Sequence, residues 1–263
     1  MALIREAAVA GQFYPANSGE LSTTIRMLLA EVPIQAGPPP KALIVPHAGY
    51  IYSGPVAASG YARLAGNTGR ITRVILLGPA HRQYVKGLAL PDATAFSTPL
   101  GTIPLDIEAL RQIRQLPQVS ADAAAHRSEH SLEVHLPFLQ RTLKDFTLVP
   151  ILVGDTTAEE VREVIEKLWG GRETLLIVSS DLSHYHDYAT ATRRDEATSK
   201  AIEALALEDI DHHDACGRNP VSGLLLYARQ HGLSIKTIDL RNSGDTAGPR
   251  DQVVGYGAYV LTE

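Results

Sequence analysis

Four short apolar runs constrain this chain most: Ala42–Val45, Val74–Leu77, Phe146–Val153 and Thr174–Val178. Each is too short for a buried helix, and none alternates polar with apolar residues as a half-exposed strand would. They read as strands covered on both faces. Glycine, proline or serine cuts each of them off, and segments with helical spacing lie between them. Strands alternating with helices predict an α/β fold, with a central mostly parallel or mixed sheet and helices on both faces. In such sheets ligands bind at the edge formed by the carboxyl ends of the strands.

The residues just past each run are therefore informative. Ala42–Val45 runs into Pro46, which has no N–H to donate to a ladder, then His47, then Gly49. A helix is expected from about Pro55 to Leu64. Val74–Leu77 runs into Gly78, Pro79, Ala80 and His81, and Thr174–Val178 into the stretch Ser179 to His184. Shorter strands are expected at Gly87–Leu90, Gly101–Leu105, Ile235–Leu240 and Val253–Leu261. Ser18 or Ser22 is expected to cap a helix ending by Val32, and Asp106 one ending near Leu116. Further helices are expected over Thr157–Trp169, 192–207 and 220–231.

If the strands run the same way, His47, His81, the pair Asp181 and His184, and the loop bearing Asn242, Ser243 and Asp245 meet at one rim. Two imidazoles and a carboxylate on one side of a metal form the facial set of non-haem Fe(II) enzymes. His184 beside such a metal could move a proton, and Asp181 could fix its orientation. Each of these residues also has an ordinary reading as a helix cap, a turn residue or a hydrogen-bonded histidine. His126, His212, His213 and His231 are read that way. Glu129 to Leu143 reads as helical apart from Pro137. There Glu129 and Glu133 share a face, read as solvated and salt-bridged, or else as support for the pocket together with His130 and His135. Cys216 is read as a small buried residue near a helix start, or else as a reactive thiol.

The bulk properties exclude several classes. Residues 1–263 suit one large α/β domain. With 29 acidic against 24 basic residues, the chain lacks the electrostatic footprint of a nucleic-acid or anionic-membrane binder. A single cysteine rules out an internal disulfide and favours the cytoplasm. No apolar run has the length of a membrane span, and no GxGxxG, P-loop, HExxH or GxSxG motif is present.

The motifs AGQFYP (10–15), PHAGYIYSGPVAA (46–58), GPAHR (78–82), STPLG (97–101), EHSLEVHLPFLQ (129–140), PILVGD (150–155), SSDLSHY (179–185), CGRNP (216–220) and VVGYGAY (253–259) span nearly the whole chain. In order and content they resemble the Memo family, also called AmmeMemoRadiSam system protein B. The resemblance implies a fold similar to the catalytic subunit of class III extradiol dioxygenases. It places the family's pocket histidines on His47 and His81 and its Asp and His on Asp181 and His184. Tyr52, Glu129, His130, His135 and His186 are expected around them. Some family members place a cysteine as third metal-side residue. The loop NSGDTAG has none, so Asp245 is expected there, with Asp239 and Asp251 as alternatives. The expected metal is Fe(II), with copper or zinc as alternatives, and the expected activity is redox or oxygenase-like on an unidentified small molecule. Two other readings stand beside it: a non-enzymatic module holding a peptide or anionic ligand in the same pocket, and metal handling without turnover. The resemblance also implies a radical-SAM protein and a third protein as partners.

Overall fold

The computed structural model describes residues 3–33, 37–66 and 69–262. The chain opens with a two-residue strand, β1 (Ile4–Arg5), and then α1 (Ser18–Ala30). Asn17, not Ser18 or Ser22, caps α1 by accepting from the N–H groups of Gly19 and Glu20. The strand β2 (Ala42–Val45) leads into α2 (Tyr50–Ala62). This helix begins five residues before Pro55, because Tyr50 N–H finds Phe13 O at 2.8 Å and Ser53 Oγ donates to Ala48 O. Next come β3 (Arg73–Pro79), β4 (Leu88–Leu90), β5 (Ala95–Thr98), β6 (Gly101–Pro104), α3 (Ile107–Ile113), β7 (Val119–Ala121) and the single turn α4 (Ala123–Arg127).

The expected helix over Glu129–Leu143 is only half present: a 3-10 turn spans Glu133–His135, and α5 (Leu136–Thr142) starts where Pro137 suits a first turn. The remaining elements are β8 (Thr147–Val153), α6 (Ala158–Leu168), β9 (Thr174–Ser179), β10 (His184–His186), α7 (Tyr188–Glu203), α8 (Arg218–His231), β11 (Ser234–Asn242) and β12 (Val253–Thr262).

The sheet order is β10-β12-β2-β9-β3-β8-β4-β7, with β11 on the far side of β12, so the sheet is mixed. Its centre, β2-β9-β3-β8, is parallel throughout. β12 runs antiparallel to β2, and β4 antiparallel to β8. Every residue of β2 and β9 is buried. Successive side chains of a strand point to opposite faces, so both faces of the sheet centre are covered. The covering layers are α1, α2 and α5 packed together, and α3, α6 and α8 packed together. A separate small sheet, β1-β5-β6, lies beside them.

The first strand is held by a buried ion pair. Glu133, with no exposed surface, accepts from Arg5, from the N–H groups of Ala8 and Val9, and from Tyr14 Oη at 2.5 Å. The expectation of a solvated Glu129–Glu133 face fails for this reason. Both carboxylates turn inward and serve as acceptors for backbone and side-chain donors that burial would otherwise leave unpaired.

Candidate metal centre

The parallel strands deliver their carboxyl ends to one edge. His47 follows β2 by two residues, His81 follows β3 by two, and Asp181 follows β9 by two. A cavity of about 610 Å³ opens there, and all three side chains line it. Three imidazole rings crowd one wall. His47 lies edge-on to His81 and to His130, with centroids 5.1 and 5.5 Å away, and His81 stacks on His130 at 4.9 Å.

Cys216 completes the cluster. Its Sγ lies 3.4 Å from His47 Nε2, and His47, His81 and Cys216 each offer a ligand atom within 4.8 Å of the others. The turn before α8 brings the thiol in. Cys216 N–H bonds Asp181 O, Asp181 N–H points at Cys216 Sγ at 3.3 Å, and Gly217 N–H bonds Ser180 Oγ. Gly217 is required at this crossing, because a Cβ there would stand 2.5 Å from Ser179 O. Burial, then the Asp181 charge, pushes the thiol above the ordinary cysteine range. Burial, then the neighbouring His81, pushes the His47 imidazole well below the usual histidine range, so it is neutral at pH 7. A neutral imidazole is the form that ligates, and a divalent cation would supply the positive charge that a thiolate needs. Two imidazoles and a thiolate form a donor set that suits iron, zinc or copper.

Two carboxylates frame the cluster without closing it. Asp181 Oδ1 accepts from His47 N–H at 2.8 Å, and Oδ2 lies 4.0 Å from His47 Nε2. Burial pushes this carboxyl above its ordinary range. Glu129, 2 % exposed, accepts four backbone N–H groups. His81 and Arg82 bond Oε2, and His130 and Ser131 bond Oε1. Its Oε1 is also 3.2 Å from His81 Nδ1. His81, Glu129 and His130 form a second group of potential metal ligands. With its oxygens committed to the backbone, Glu129 acts there as the anchor of two loops and the orienter of His81. Gly78 lets the Glu129 loop cross the end of β3, since a Cβ would meet Leu132 at 2.8 Å.

The outer wall comes from β10. In a regular strand His184 and His186 would face the cavity and Tyr185 would face away. The ladder with β12 slips between His184 and His186, Tyr185 takes φ 60°, and all three side chains line the cavity. A bulge next to a site re-aims a side chain in this way. Arg82, His212 and His213 complete the rim.

The structure thus brings together His47, His81, His130, Asp181, His184 and His186. It does not bring Asp245, the expected third ligand. Its carboxylate accepts from Tyr188 Oη at 2.6 Å and from Asn242 N–H. The reason is topological: β11 and β2 pair with opposite edges of β12, so the turn after β11 is separated from His47 by β12. Asp239 is paired with Arg241 and Ser59, and Asp251 is exposed outside the cavity lining. Tyr52 is 37 % exposed and does not line the cavity, while His135 is buried behind it. His212 and His213, read from sequence as ordinary, and Cys216, read as a small buried residue or else a reactive thiol, are cavity residues. The one available signal was that CGRNP puts the only cysteine beside a glycine at a helix start.

A family model described as Memo-like protein matches residues 5–260. The chain is 36 % identical over 264 residues to a MEMO1 family protein of Aquifex aeolicus (strain VF5), covering 96 % of this chain and 97 % of the relative. It is 35 % identical over 284 residues to a MEMO1 family protein of Thermotoga neapolitana, covering 99 % and 100 %. Among solved structures, the uncharacterized protein JW3007 from Escherichia coli K12 has a similar fold, with TM-score 0.53, 14 % identity, and coverage of 83 % of this chain and 98 % of that one. Among the described residues, no helix is long and apolar enough to cross a membrane.

Proposed function

The chain belongs to the Memo-like family, and from the geometry of its cavity we propose that it binds a divalent metal, Fe(II) in the first instance, and uses it in redox or oxygenase-like chemistry on a small molecule. One observation carries the reading: the ends of β2 and β3 and the turn before α8 place two imidazoles and a thiol within 4.8 Å of one another at the mouth of a cavity. His47, His81 and Cys216 would hold the metal. Bound there, Fe(II) would supply a one-electron couple and positions open to substrate. The thiol also favours a second reading, copper or zinc, because soft ligands select those ions more strongly than a carboxylate does.

The chain's own groups have separable tasks. Asp181 fixes the loop that presents His47 by accepting its backbone N–H. Glu129 orients His81 through Nδ1. His184, which also lines the cavity, is the acid/base group of this reading. Arg82 and the histidines of the rim favour an anionic group on the substrate.

Anaerobic calorimetry with Fe(II) tests this. Wild type is expected to bind one equivalent, Cys216→Ser and His81→Ala to lose at least tenfold in affinity, and Asp245→Asn to match wild type. Wild-type affinity in Cys216→Ser would overturn the ligand assignment, and no binding by wild type would overturn the iron reading. Oxygen uptake with catechol-like compounds then separates turnover from metal handling.

A further inference from the structure

Behind His47 a line of buried groups runs into the core. His47 Nδ1 lies 2.6 Å from Ser179 Oγ, His135 Nε2 lies 2.8 Å from the same oxygen, and Tyr61 Oη lies 2.9 Å from His135 Nδ1. Ser179 Oγ is also 2.7 Å from Ser131 O. His47, Ser179, His135 and Tyr61 are each at most 2 % exposed. At that burial each polar atom needs its partner, so the protons can be assigned by counting donors.

A carbonyl only accepts. At 2.7 Å the Ser179 hydroxyl donates its single proton to Ser131 O, a carbonyl that the His135 ring also bonds as a donor. Ser179 Oγ has no second proton, so both imidazole nitrogens facing it must be donors: His47 carries its proton on Nδ1 and His135 on Nε2. His135 Nδ1 is then an acceptor, which Tyr61 Oη satisfies as donor. Burial pushes His135 down to about 3, in keeping with a neutral ring. At the other end His47 Nε2 is left with its lone pair towards the cavity, 3.4 Å from Cys216 Sγ.

We propose that Ser179, pinned by His135 and Ser131, is a positioning residue that commits His47 to the tautomer whose Nε2 lone pair faces the cavity. The line is a lock and not a proton wire, because the hydroxyl proton ends on a carbonyl that cannot pass one on. The consequence for metal affinity rests on the function proposed above; the tautomer does not.

The test reads the tautomer directly. Long-range ¹H–¹⁵N spectra of the metal-free full chain, with His47 assigned by comparison with His47→Gln, are expected to show His47 protonated on Nδ1 alone. Ser179→Ala is expected to give a mixture of tautomers and to lose about 10- to 100-fold in Co(II) or Fe(II) affinity, the range for groups that orient metal ligands. Ser179→Thr, which keeps the acceptor oxygen, is expected to restore the single tautomer. A wild-type His47 protonated on Nε2 overturns the lock, as does a Ser179→Ala protein that keeps the Nδ1–H tautomer. Should Ser179→Ala fail to fold, the wild-type and Ser179→Thr spectra decide. A locked tautomer in a wild-type protein that binds no metal would overturn the proposed function and leave the lock standing.

Discussion

Replacing Glu129 with glutamine isolates what holds the His81 side of the cavity. The two carboxylate oxygens accept four backbone N–H groups, two each, at 2.6 and 3.2 Å and at 2.8 and 3.0 Å. Glutamine has the same shape but offers one oxygen, so its NH₂ must face two N–H donors. Leaving a buried donor unpaired costs about 1–3 kcal/mol, so two cost about 2–6 kcal/mol, with about 4 kcal/mol as the central expectation. For a chain of this size that lowers the melting temperature by roughly 8–16 °C. Urea denaturation at pH 7 measures the loss. Fe(II) calorimetry on the same variant is expected to show affinity reduced more than tenfold, because His81 Nδ1 loses its carboxylate. The pH dependence carries a second signature. Burial opposes ionisation of Glu129, but hydrogen bonds from His130, His81 and Ser131 outweigh it and hold the carboxyl below its ordinary range. A depressed acid contributes stability that is present above about pH 4.3 and is lost as pH falls below that. Wild type should show this loss and the variant should not. A stability change under about 1 kcal/mol at pH 7 would refute the reasoning, because it would mean that the four N–H groups do not depend on the carboxylate.

Two further substitutions test other parts of the frame. Asp195, 3 % exposed on α7 beneath Ser183, is pushed up to about 6 by burial; a raised acid contributes stability below the unfolded pKa near 3.9 and loses it as pH rises through 6, an interval worth about 3 kcal/mol. Asp195→Asn keeps an acceptor for Ser183 N–H, so its stability relative to wild type should climb between pH 4 and pH 7 in denaturant titrations, and a flat difference would count against the shift. Tyr185 holds φ 60° and is 72 % exposed. Relief of the left-handed backbone, about 1–2 kcal/mol, should offset the entropy cost of glycine, so Tyr185→Gly should unfold in urea within about 1 kcal/mol of wild type; a loss above about 2 kcal/mol would show that the ring is part of the fold.

The central strands were legible because each is a short apolar run without polar alternation, followed closely by polar residues. That pattern alone put His47, His81 and Asp181 at one edge. What it could not show was which side of β12 the neighbouring strand takes. The loop containing Asp245 does end at the correct rim, yet on the wrong side of a strand. Cys216 follows no apolar run, so nothing in the period of the sequence marked it, and its place depends on how the turn before α8 packs against the end of β9. The Glu129–His135 stretch misled in another way. Its i, i+4 acids suggested a solvent-facing helix, whereas the backbone leaves the helical path because each carboxylate binds N–H groups from elsewhere in the chain. Side-chain acceptors that pair with distant backbone leave no periodicity to read.

Strand order also fixes the timetable of synthesis. β2 pairs with β9 and β12, both made more than a hundred residues after it. On a ribosome His47 emerges 169 residues before Cys216, which at 5–20 residues per second is roughly 10–30 s. Until β9 emerges, late in that interval, β2 has neither of its partner strands, and throughout it the histidines have no thiol opposite them. The cluster of His47, His81 and Cys216 therefore assembles late in synthesis, after β9 has joined β2 and the turn before α8 has been made.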